Sequence, residues 1–423
     1  MVSATMPKQK TPVPKYSWAV LVMLYLTAAA AALNMFKVSS LATVLMDPVG
    51  GLGIPVTDIG TLMSVFSVAG LILAIPGGLL VQRAGIKASL LIALGFLAVG
   101  SVVGVFASSY EILAATRLVE GVGFGLLGVA IPSGLAAWFP KDRRGLPLGI
   151  FTTWVPFGTL IMLVVAPALA AAFGWQGAWW FGLICAVAAF AVVLFAFHLP
   201  SEEEYVALHG EKPFVEGASK EEVTASFKAS LRVLKDLRIW MLALVFAIFN
   251  AVSPGGTTNF LPTYLVEGVG MDLAMSNWTV AAMMIGVCLC EPLCGMLSDK
   301  IGSRKKVIVI PLMGLIVTSF FIFNPVLGFA GLVVCIFIHV SIFSSGVSTG
   351  TYAAAPELAG KPEHAGIANG MVAVGQNLGL LVGPLVFSNI LAATGNDWLS
   401  VGWFWLVPAA VVAAVLSLFI KAR

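Results

Sequence analysis

Five ionisable residues lie inside long apolar stretches, away from the polar connections that carry most of the charge: Lys37, Arg117, Glu120, Glu291 and His339. An ion that faces lipid is costly, so such residues usually face a wet interior or pair with one another. A lysine or arginine in this setting could bind an anion, while a carboxylate or an imidazole could take up and release a proton. The chemistry to expect is therefore ion binding and proton transfer.

Three of these charges share one layer of the membrane. Counted along each helix from its middle, Lys37 and Glu120 lie about 7 Å, and Arg117 about 11 Å, toward the same side. Arg117 and Glu120 are three residues apart on one helix face and can pair. The residues favour a net-positive pocket in which Lys37 binds an anionic group. The alternative is a structural pair between Lys37 and Glu120, and the sequence leaves both open.

Glu291 and His339 stand alone in their segments. Glu291 lies about 4 Å toward the other side of the membrane centre, in the turn CEPLC, and has no basic neighbour in sequence. Because burial disfavours the charged form, an isolated carboxylate there could carry a proton. Its alternative role is that of a hydrogen-bonded structural acid, and His339 could equally be a neutral packed histidine. The candidates for proton coupling are Glu120, Glu291 and His339.

Hydroxyl and amide side chains are concentrated on the seventh and tenth apolar segments, with an amide pair on the eleventh. Such groups could hydrogen-bond a polar solute. The candidate substrate-binding residues are Lys37, Arg117, Asn34, Asn250, Ser253, Tyr264, Ser344, Ser345, Tyr352, Gln376 and Asn377.

The elements that must position these side chains are membrane-spanning helices. The chain of 423 residues is 59% hydrophobic and only 10% charged, with a mean hydropathy of +1.00, which excludes an ordinary soluble domain. Its apolar runs are continuous rather than alternating, which predicts helices and not a barrel. The twelve predicted spans are 18–46, 58–80, 88–108, 110–139, 145–172, 177–198, 238–264, 277–297, 306–324, 327–355, 365–393 and 398–420.

The basic residues predict the topology. Of 23 lysines and arginines, 21 lie in the termini or in connections that share one side, so both termini are expected to be cytoplasmic. Ser219 and Glu222 have capping-box spacing and predict an amphipathic helix in the connection. The predicted division is a tail (1–17), a six-helix bundle (18–198), a linker (199–237), a second six-helix bundle (238–420) and a short cytoplasmic end (421–423).

A turn recurs in both halves, as GGLLVQRAGIK from Gly77 and as GMLSDKIGSRKK from Gly295, 217 residues apart when Gly78 is aligned with Gly295. A repeat of this length predicts two similar halves. The candidate gating residues are Gly78, Gln82, Arg83, Gly295, Asp299, Lys300 and Arg304.

This layout resembles the major facilitator superfamily of secondary transporters over essentially the whole chain. The second turn fits the family pattern G-x-x-x-D-[KR]-x-G-x-[KR], whereas the first has Gln82 in place of the acid. Arg117 followed by Gly121 is similar to the family's motif on helix 4, and the antiporter motif of helix 5 is not matched. The resemblance implies an all-α membrane protein of two pseudo-symmetric bundles, with helices 1, 4, 7 and 10 around a central cavity.

The expected function is secondary active transport of a small, anionic organic solute by alternating access, as symport with protons. Two alternatives remain: a polyspecific drug/proton exporter, and a membrane sensor that binds without transport. Scattered histidines do not favour an enzyme, and we expect no cofactor, no metal and no nucleic-acid partner. The protein is expected to be a monomer in the plasma membrane, or the inner membrane of a bacterium.

Overall fold

The computed structural model describes residues 12–74, 76–140, 143, 145–210, 231–360 and 365–420. Within these ranges the regular structure is helical, and the long helices are labelled α1 to α12 in chain order. They are α1 (Lys15–Met35), α2 (Val56–Leu73), α3 (Ile86–Val105), α4 (Tyr110–Trp138), α5 (Leu146–Phe173), α6 (Gln176–Phe195), α7 (Leu237–Glu267), α8 (Leu273–Ile301), α9 (Arg304–Phe321), α10 (Gly328–Ala359), α11 (Ala365–Ala393) and α12 (Trp398–Leu418).

Eleven of these helices, α9 excepted, are long and apolar enough to cross a membrane by length and composition, within the part of the chain described. Helix α9 begins with three consecutive basic residues, Arg304, Lys305 and Lys306, which lower its hydropathy although its remainder is apolar. Cations at a helix end remain at the membrane surface, so α9 is the twelfth span. The predicted class, twelve membrane helices in two bundles, is confirmed.

The first six helices form one half and the last six the other. The halves meet where α2 packs along α11 and where α5 packs along α8. The approach of α2 to α11 is close: a Cβ atom on Gly70 would lie 2.3 Å from Oδ1 of Asn377. These two helix pairs thus supply most of the contact between the halves.

A glycine stripe on α11 brings that helix against the backbone of α7. Added Cβ atoms at Gly375 and Gly379 would each lie 2.2 Å from a carbonyl oxygen of α7, and one at Gly383 would lie 2.6 Å from another. In a membrane, small residues at this spacing let helices pack through their backbones. The second half therefore depends on backbone contact between these two helices.

Several spans are interrupted near mid-membrane. The predicted segment 18–46 is one helix followed by two short ones, Lys37–Ser40 and Ala42–Met46, because the backbone leaves helical geometry at Phe36. Helix α7 has a π-helical turn at Ser253–Thr258 and α10 has one at Ile338–Phe343. Such insertions are frequent at functional sites.

The connection between the halves contains a short helix, Glu202–His209. Ser201 caps it and accepts a hydrogen bond from the backbone of Glu204, whose carboxylate bonds back to the backbone N–H of Ser201, a complete capping box. The amphipathic helix predicted from Ser219 and Glu222 lies outside the described residues.

Candidate functional site

A buried ion cluster joins the short helix Lys37–Ser40, which follows α1, to α4. Nζ of Lys37 lies 2.5 Å from Oε1 of Glu120, and an Nη atom of Arg117 lies 2.6 Å from the other carboxylate oxygen. All three side chains have no exposed surface. The pairing of Arg117 with Glu120 follows their three-residue spacing, and Glu120 accepts from both cations at once. We name Lys37, Arg117 and Glu120 the ion cluster.

Neighbouring helices fill the remaining hydrogen-bonding capacity of Lys37. Its ammonium donates to Oγ of Ser101 on α3 at 3.2 Å and lies 4.8 Å from the ring centre of Trp179 on α6. The hydroxyl of Ser101 lies 2.8 Å from Oε1 of Glu120 and 3.0 Å from Oδ1 of Asn34, and its single proton goes to one of these acceptors at a time. Four helices of the first half therefore meet at this point, and Lys37 already has three partners.

Arg117 also stabilises the interruption of α1. Where the helix breaks at Phe36, the carbonyl oxygens of Asn34 and Met35 are available to accept from a side chain. The two Nη atoms of Arg117 donate to these oxygens, each at 2.7 Å. Its guanidinium lies 4.3 Å from the ring centre of Phe66 on α2. Arg117 thus stabilises the interruption of α1 through these hydrogen bonds, and the ring of Phe66 packs against its guanidinium.

That ring belongs to an apolar ceiling shared by the two halves. Met35, Phe36 and Phe66 from the first half pack with Leu380 of α11, and Phe124 of α4 packs against them. The rings of Phe66 and Phe124 are 5.2 Å apart between centres in an edge-to-face arrangement. We name these five residues the ceiling, because the polar groups described next lie on its side nearer the basic connections.

Below the ceiling, polar groups from both halves face the space between them. Tyr25 of α1 lies with its hydroxyl 2.9 Å from that of Thr153, and Tyr352 of α10 donates to Oε1 of Gln376 at 2.6 Å. The carboxylate of Glu291 on α8 is within electrostatic range of both tyrosine hydroxyls. One of its oxygens is buried without a hydrogen-bond partner. Glu291 therefore keeps one carboxylate oxygen that no described group uses.

Two amides of the candidate set have local partners. Asn377 donates to the carbonyl of Ala373 one turn earlier, and its Oδ1, which is buried, has no hydrogen-bond partner. Asn250 is buried and donates to the carbonyl of Phe246 in its own helix. Asn377 thus keeps an acceptor available at the α2–α11 contact, whereas the amide N–H of Asn250 is already used.

The second half joins α7 to α10 through hydroxyl groups. Oγ of Ser253, at the start of the π-helical turn in α7, lies 2.6 Å from Oγ of Ser344, which follows the π-helical turn in α10. Ser344 also donates to the backbone carbonyl of His339. The imidazole of His339 is buried with Nδ1 2.8 Å from Thr318, and the hydroxyl of neighbouring Ser345 is buried without a partner. We name the Ser253–Ser344 contact the hydroxyl clasp.

Tyr264 lies apart from these groups, near the end of α7. Its ring packs edge-to-face on Phe323 at 4.7 Å and against Trp398 at 5.3 Å between ring centres. The structure therefore places this candidate in an aromatic cluster of the second half.

Two hydrogen bonds join the halves on the side of the ceiling away from the basic connections. Ser39 donates to the carbonyl of Asn259 at 2.5 Å, and the amide of Asn277 donates to the carbonyl of Ser40 at 2.9 Å. The short helix Lys37–Ser40 is thereby fastened to α7 and α8. We name these two bonds the outer latch.

At the opposite end of α8, Asp299 pairs with Arg304 at 2.6 Å, and Arg304 also reaches Glu357 of α10 at 2.9 Å. These contacts lie within the second half. Lys300 is exposed, and Gly295 packs near Thr349.

In the first-half turn Arg83 is exposed, while the side chain of Gln82 and the surroundings of Gly78 lie outside the described features. Gating by this turn therefore stays a prediction.

Sequence reasoning did not identify four residues that complete these contacts: Ser101, Trp179, Tyr25 and Asn277. Serine and aromatic residues are common in apolar helices and carry no distinguishing signal. Of the four, Asn277 is the residue with a signal in the sequence, since a buried amide in a membrane helix needs a hydrogen-bond partner.

Comparison with known proteins agrees with this architecture. The family model of the Major Facilitator Superfamily matches residues 24–276 and 255–423. The "Nitrite extrusion protein" of Bacillus subtilis is 26% identical over 86% of this chain and 85% of its own length. The "Probable sulfoacetate transporter SauU" of Cupriavidus necator is 27% identical over 88% and 86%. The "Chloramphenicol resistance protein" of Streptomyces lividans is 27% identical over 94% and 95%.

The fold is also that of a solved transporter structure. A bacterial homologue of the human lysosomal transporter Spinster, in an inward-facing and occupied conformation, superposes with a TM-score of 0.74 at 14% identity, covering 97% of this chain and 98% of that one. The likeness extends over both halves.

Proposed function

The chain belongs to the Major Facilitator Superfamily of membrane transporters, and from that premise we propose that it moves a small anionic solute across the membrane together with protons. The observation that carries the proposal is the ion cluster, in which two cations share one carboxylate close to the ceiling. A site with excess positive charge suits an anion. Two of the relatives, named for nitrite extrusion and for sulfoacetate transport, support the same substrate class.

Proton coupling is assigned to Glu291. A carboxylate that faces an anionic solute in a low-dielectric space would repel it unless the carboxylate were protonated. Binding of the anion and protonation of Glu291 would then favour each other, which is the requirement for symport. Its partnerless oxygen and its electrostatic interaction with the hydroxyls of Tyr25 and Tyr352 support this role. Glu120 is less suited, because both of its carboxylate oxygens already accept hydrogen bonds from the cations of the ion cluster. His339 has Nδ1 2.8 Å from Thr318 and a buried Nε2 without a partner among the described residues, so it is the second candidate for proton coupling.

The proposed solute site is the space below the ceiling. Tyr352, Gln376 and Asn377 offer hydrogen-bonding groups from the second half, and Tyr25 offers one from the first. With the basic connections on the cytoplasmic side, the outer latch would close the external side. The arrangement would then correspond to a site that exchanges solute with the cytoplasm.

A binding panel followed by counterflow tests the substrate class. Purified protein is heated with sulfoacetate, nitrate, other carboxylates and, as an uncharged comparison, chloramphenicol. A ligand that binds the folded state raises the unfolding temperature by mass action. We expect stabilisation by sulfoacetate or nitrate, and counterflow of that anion in proteoliposomes. Binding without counterflow would identify a sensor instead.

A drug exporter is the second candidate, and the relative named for chloramphenicol resistance favours it. Stabilisation by chloramphenicol but by none of the anions would establish that reading and overturn the anionic substrate.

A further inference from the structure

We infer that the ion cluster selects anions by its net charge, acting through the ceiling, and not as a set of direct ligands. This inference rests on the proposed function and deepens it. It assigns to Lys37, Arg117 and Glu120 a role in specificity that requires no contact with the solute.

Direct ligation is disfavoured by geometry. Lys37 is fully buried, and its ammonium donates to Glu120 and Ser101 and lies over the ring of Trp179. An ammonium has three N–H donors, so each is already engaged. The two Nη atoms of Arg117 are occupied by Glu120 and by carbonyl groups of α1. A solute would have to break these bonds to reach the ammonium of Lys37 or the Nη atoms of Arg117, whereas Nε of Arg117 is fully buried and has no partner in the described part of the chain.

The cluster nevertheless carries charge. Two cations and one carboxylate leave a net charge of about one positive unit at neutral pH. In an environment from which water is excluded, this charge is weakly screened. The net charge of the cluster therefore acts on an ion on the other side of the ceiling.

The ceiling lies directly against the ion cluster, with two aromatic rings in succession. The guanidinium of Arg117 lies 4.3 Å from the ring centre of Phe66, which packs edge-to-face on Phe124 at 5.2 Å. Phe124 is partly exposed at the ceiling. At an effective dielectric constant of about 20, a unit charge about 10 Å away changes the local concentration of a monovalent ion by about tenfold.

Charge variants separate the two mechanisms. Lys37→Met lowers the cluster charge by one unit, and Glu120→Gln raises it by one. The double variant Lys37→Met with Glu120→Gln restores the original charge without restoring the ammonium. If net charge selects anions, the double variant behaves like the wild type; if Lys37 is a ligand, it behaves like Lys37→Met.

The potential can be measured without knowing the solute. Phe124→Cys is introduced into a full-length protein whose five native cysteines are replaced, and is labelled with an anionic sulfonatoethyl and a cationic trimethylammonium-ethyl methanethiosulfonate. We expect the ratio of anionic to cationic labelling rates to fall about a hundredfold in Lys37→Met, because the two reagents shift about tenfold in opposite directions, to rise about a hundredfold in Glu120→Gln, and to stay unchanged in the double variant. Val49→Cys, at a residue that is 93% exposed, is the control whose ratio stays constant.

Equal ratios in the wild type and in Lys37→Met would overturn the inference. If Glu120→Gln cannot be purified, Lys37→Met and the double variant still distinguish the two mechanisms. In both of these variants the residue at position 120 keeps Arg117 as a hydrogen-bond partner. Loss of sulfoacetate or nitrate binding in a folded double variant would make Lys37 a ligand instead. A charge-dependent ratio in a protein that binds neither anion would overturn the proposed substrate class and leave the electrostatic effect intact.

Discussion

The two halves join their cavity-facing helices with different chemistry. In the first half, α1 meets α4 through the ion cluster, where Glu120 lies 2.5 Å from Lys37. In the second half, α7 meets α10 through the hydroxyl clasp, an uncharged contact of 2.6 Å. The same architecture thus uses a buried charged contact in the first half and an uncharged hydrogen bond in the second.

Both halves nevertheless interrupt their first helix at corresponding positions. The shift of 217 residues that aligns the repeat turns also brings Phe36, where α1 breaks, onto Ser253, where the π-helical turn of α7 begins. Both helices therefore leave regular geometry at the corresponding level. The level at which these helices are interrupted therefore belongs to the repeated fold, whereas the groups that stabilise the interruption differ between the halves.

Removing one cation of the ion cluster should have the largest effect on the stability of the protein. Arg117→Ala removes a partner of buried Glu120 and leaves the carbonyl groups of Asn34 and Met35 without their donor. We expect a loss of about 3–5 kcal/mol in stability, measured as a large fall in the thermal unfolding temperature in detergent. Arg83→Ala, at an exposed arginine, is the control. Equal unfolding temperatures for the two variants would show that the cluster does not hold α1.

The second half should depend instead on close backbone contact. A Cβ atom at Gly379 would lie 2.2 Å from the carbonyl oxygen of Ala247, so Gly379→Ala forces α11 away from α7. We expect a loss of about 1–3 kcal/mol. Gly95→Ala, where an added Cβ meets nothing within 4 Å, should be neutral or slightly stabilising. Destabilisation by both substitutions to the same extent would contradict the packing argument.

The hydroxyl clasp should contribute less. Ser253→Ala removes one hydrogen bond, and Ser344 keeps its bond to the carbonyl of His339. Hydrogen bonds between membrane helices contribute about 0.6 kcal/mol on average, so a double-mutant cycle with Ser344→Ala should give a coupling of that order. A coupling as large as the effect of Arg117→Ala would mean that the halves are stabilised equally strongly at this level, and the comparison would fail.

The smallest effect is expected at the repeat turn. Asp299 is 72% exposed, and its pair with Arg304 is screened by water, so Asp299→Asn should cost less than about 1 kcal/mol. Its effect should appear in conformation: labelling of engineered cysteines from the cytoplasmic side should increase. Gln82→Asp, which creates the missing acid of the first half, should act less or in the opposite direction. Unchanged accessibility in Asp299→Asn would remove the turn from gating.

The helices were predictable from sequence, because apolar length determines which segments can span a bilayer. The prediction 365–393 coincides with α11, and 238–264 begins one residue after the start of α7 and ends three residues before its end. The break at Phe36 and the π-helical turns were not predicted, since a continuous apolar run does not reveal where hydrogen bonding shifts.

The site was predictable only in part. Arg117 and Glu120 lie on one helix, so their spacing alone predicts the pair. Lys37 could have faced the solute or Glu120, because distance between helices is not encoded in spacing; in this structure it contacts Glu120. A direct role for Lys37 in binding stays a prediction, which the charge variants test.

The most direct test of proton-coupled anion transport is uptake into proteoliposomes under an imposed pH gradient, with sulfoacetate and nitrate as solutes. The wild type should accumulate at least one of these anions when the outside is acidic. Glu291→Gln should exchange that anion across the membrane at a comparable rate without accumulating it, whereas Glu111→Gln, at an exposed glutamate, should accumulate it as the wild type does. Full gradient-driven accumulation by Glu291→Gln would contradict the account.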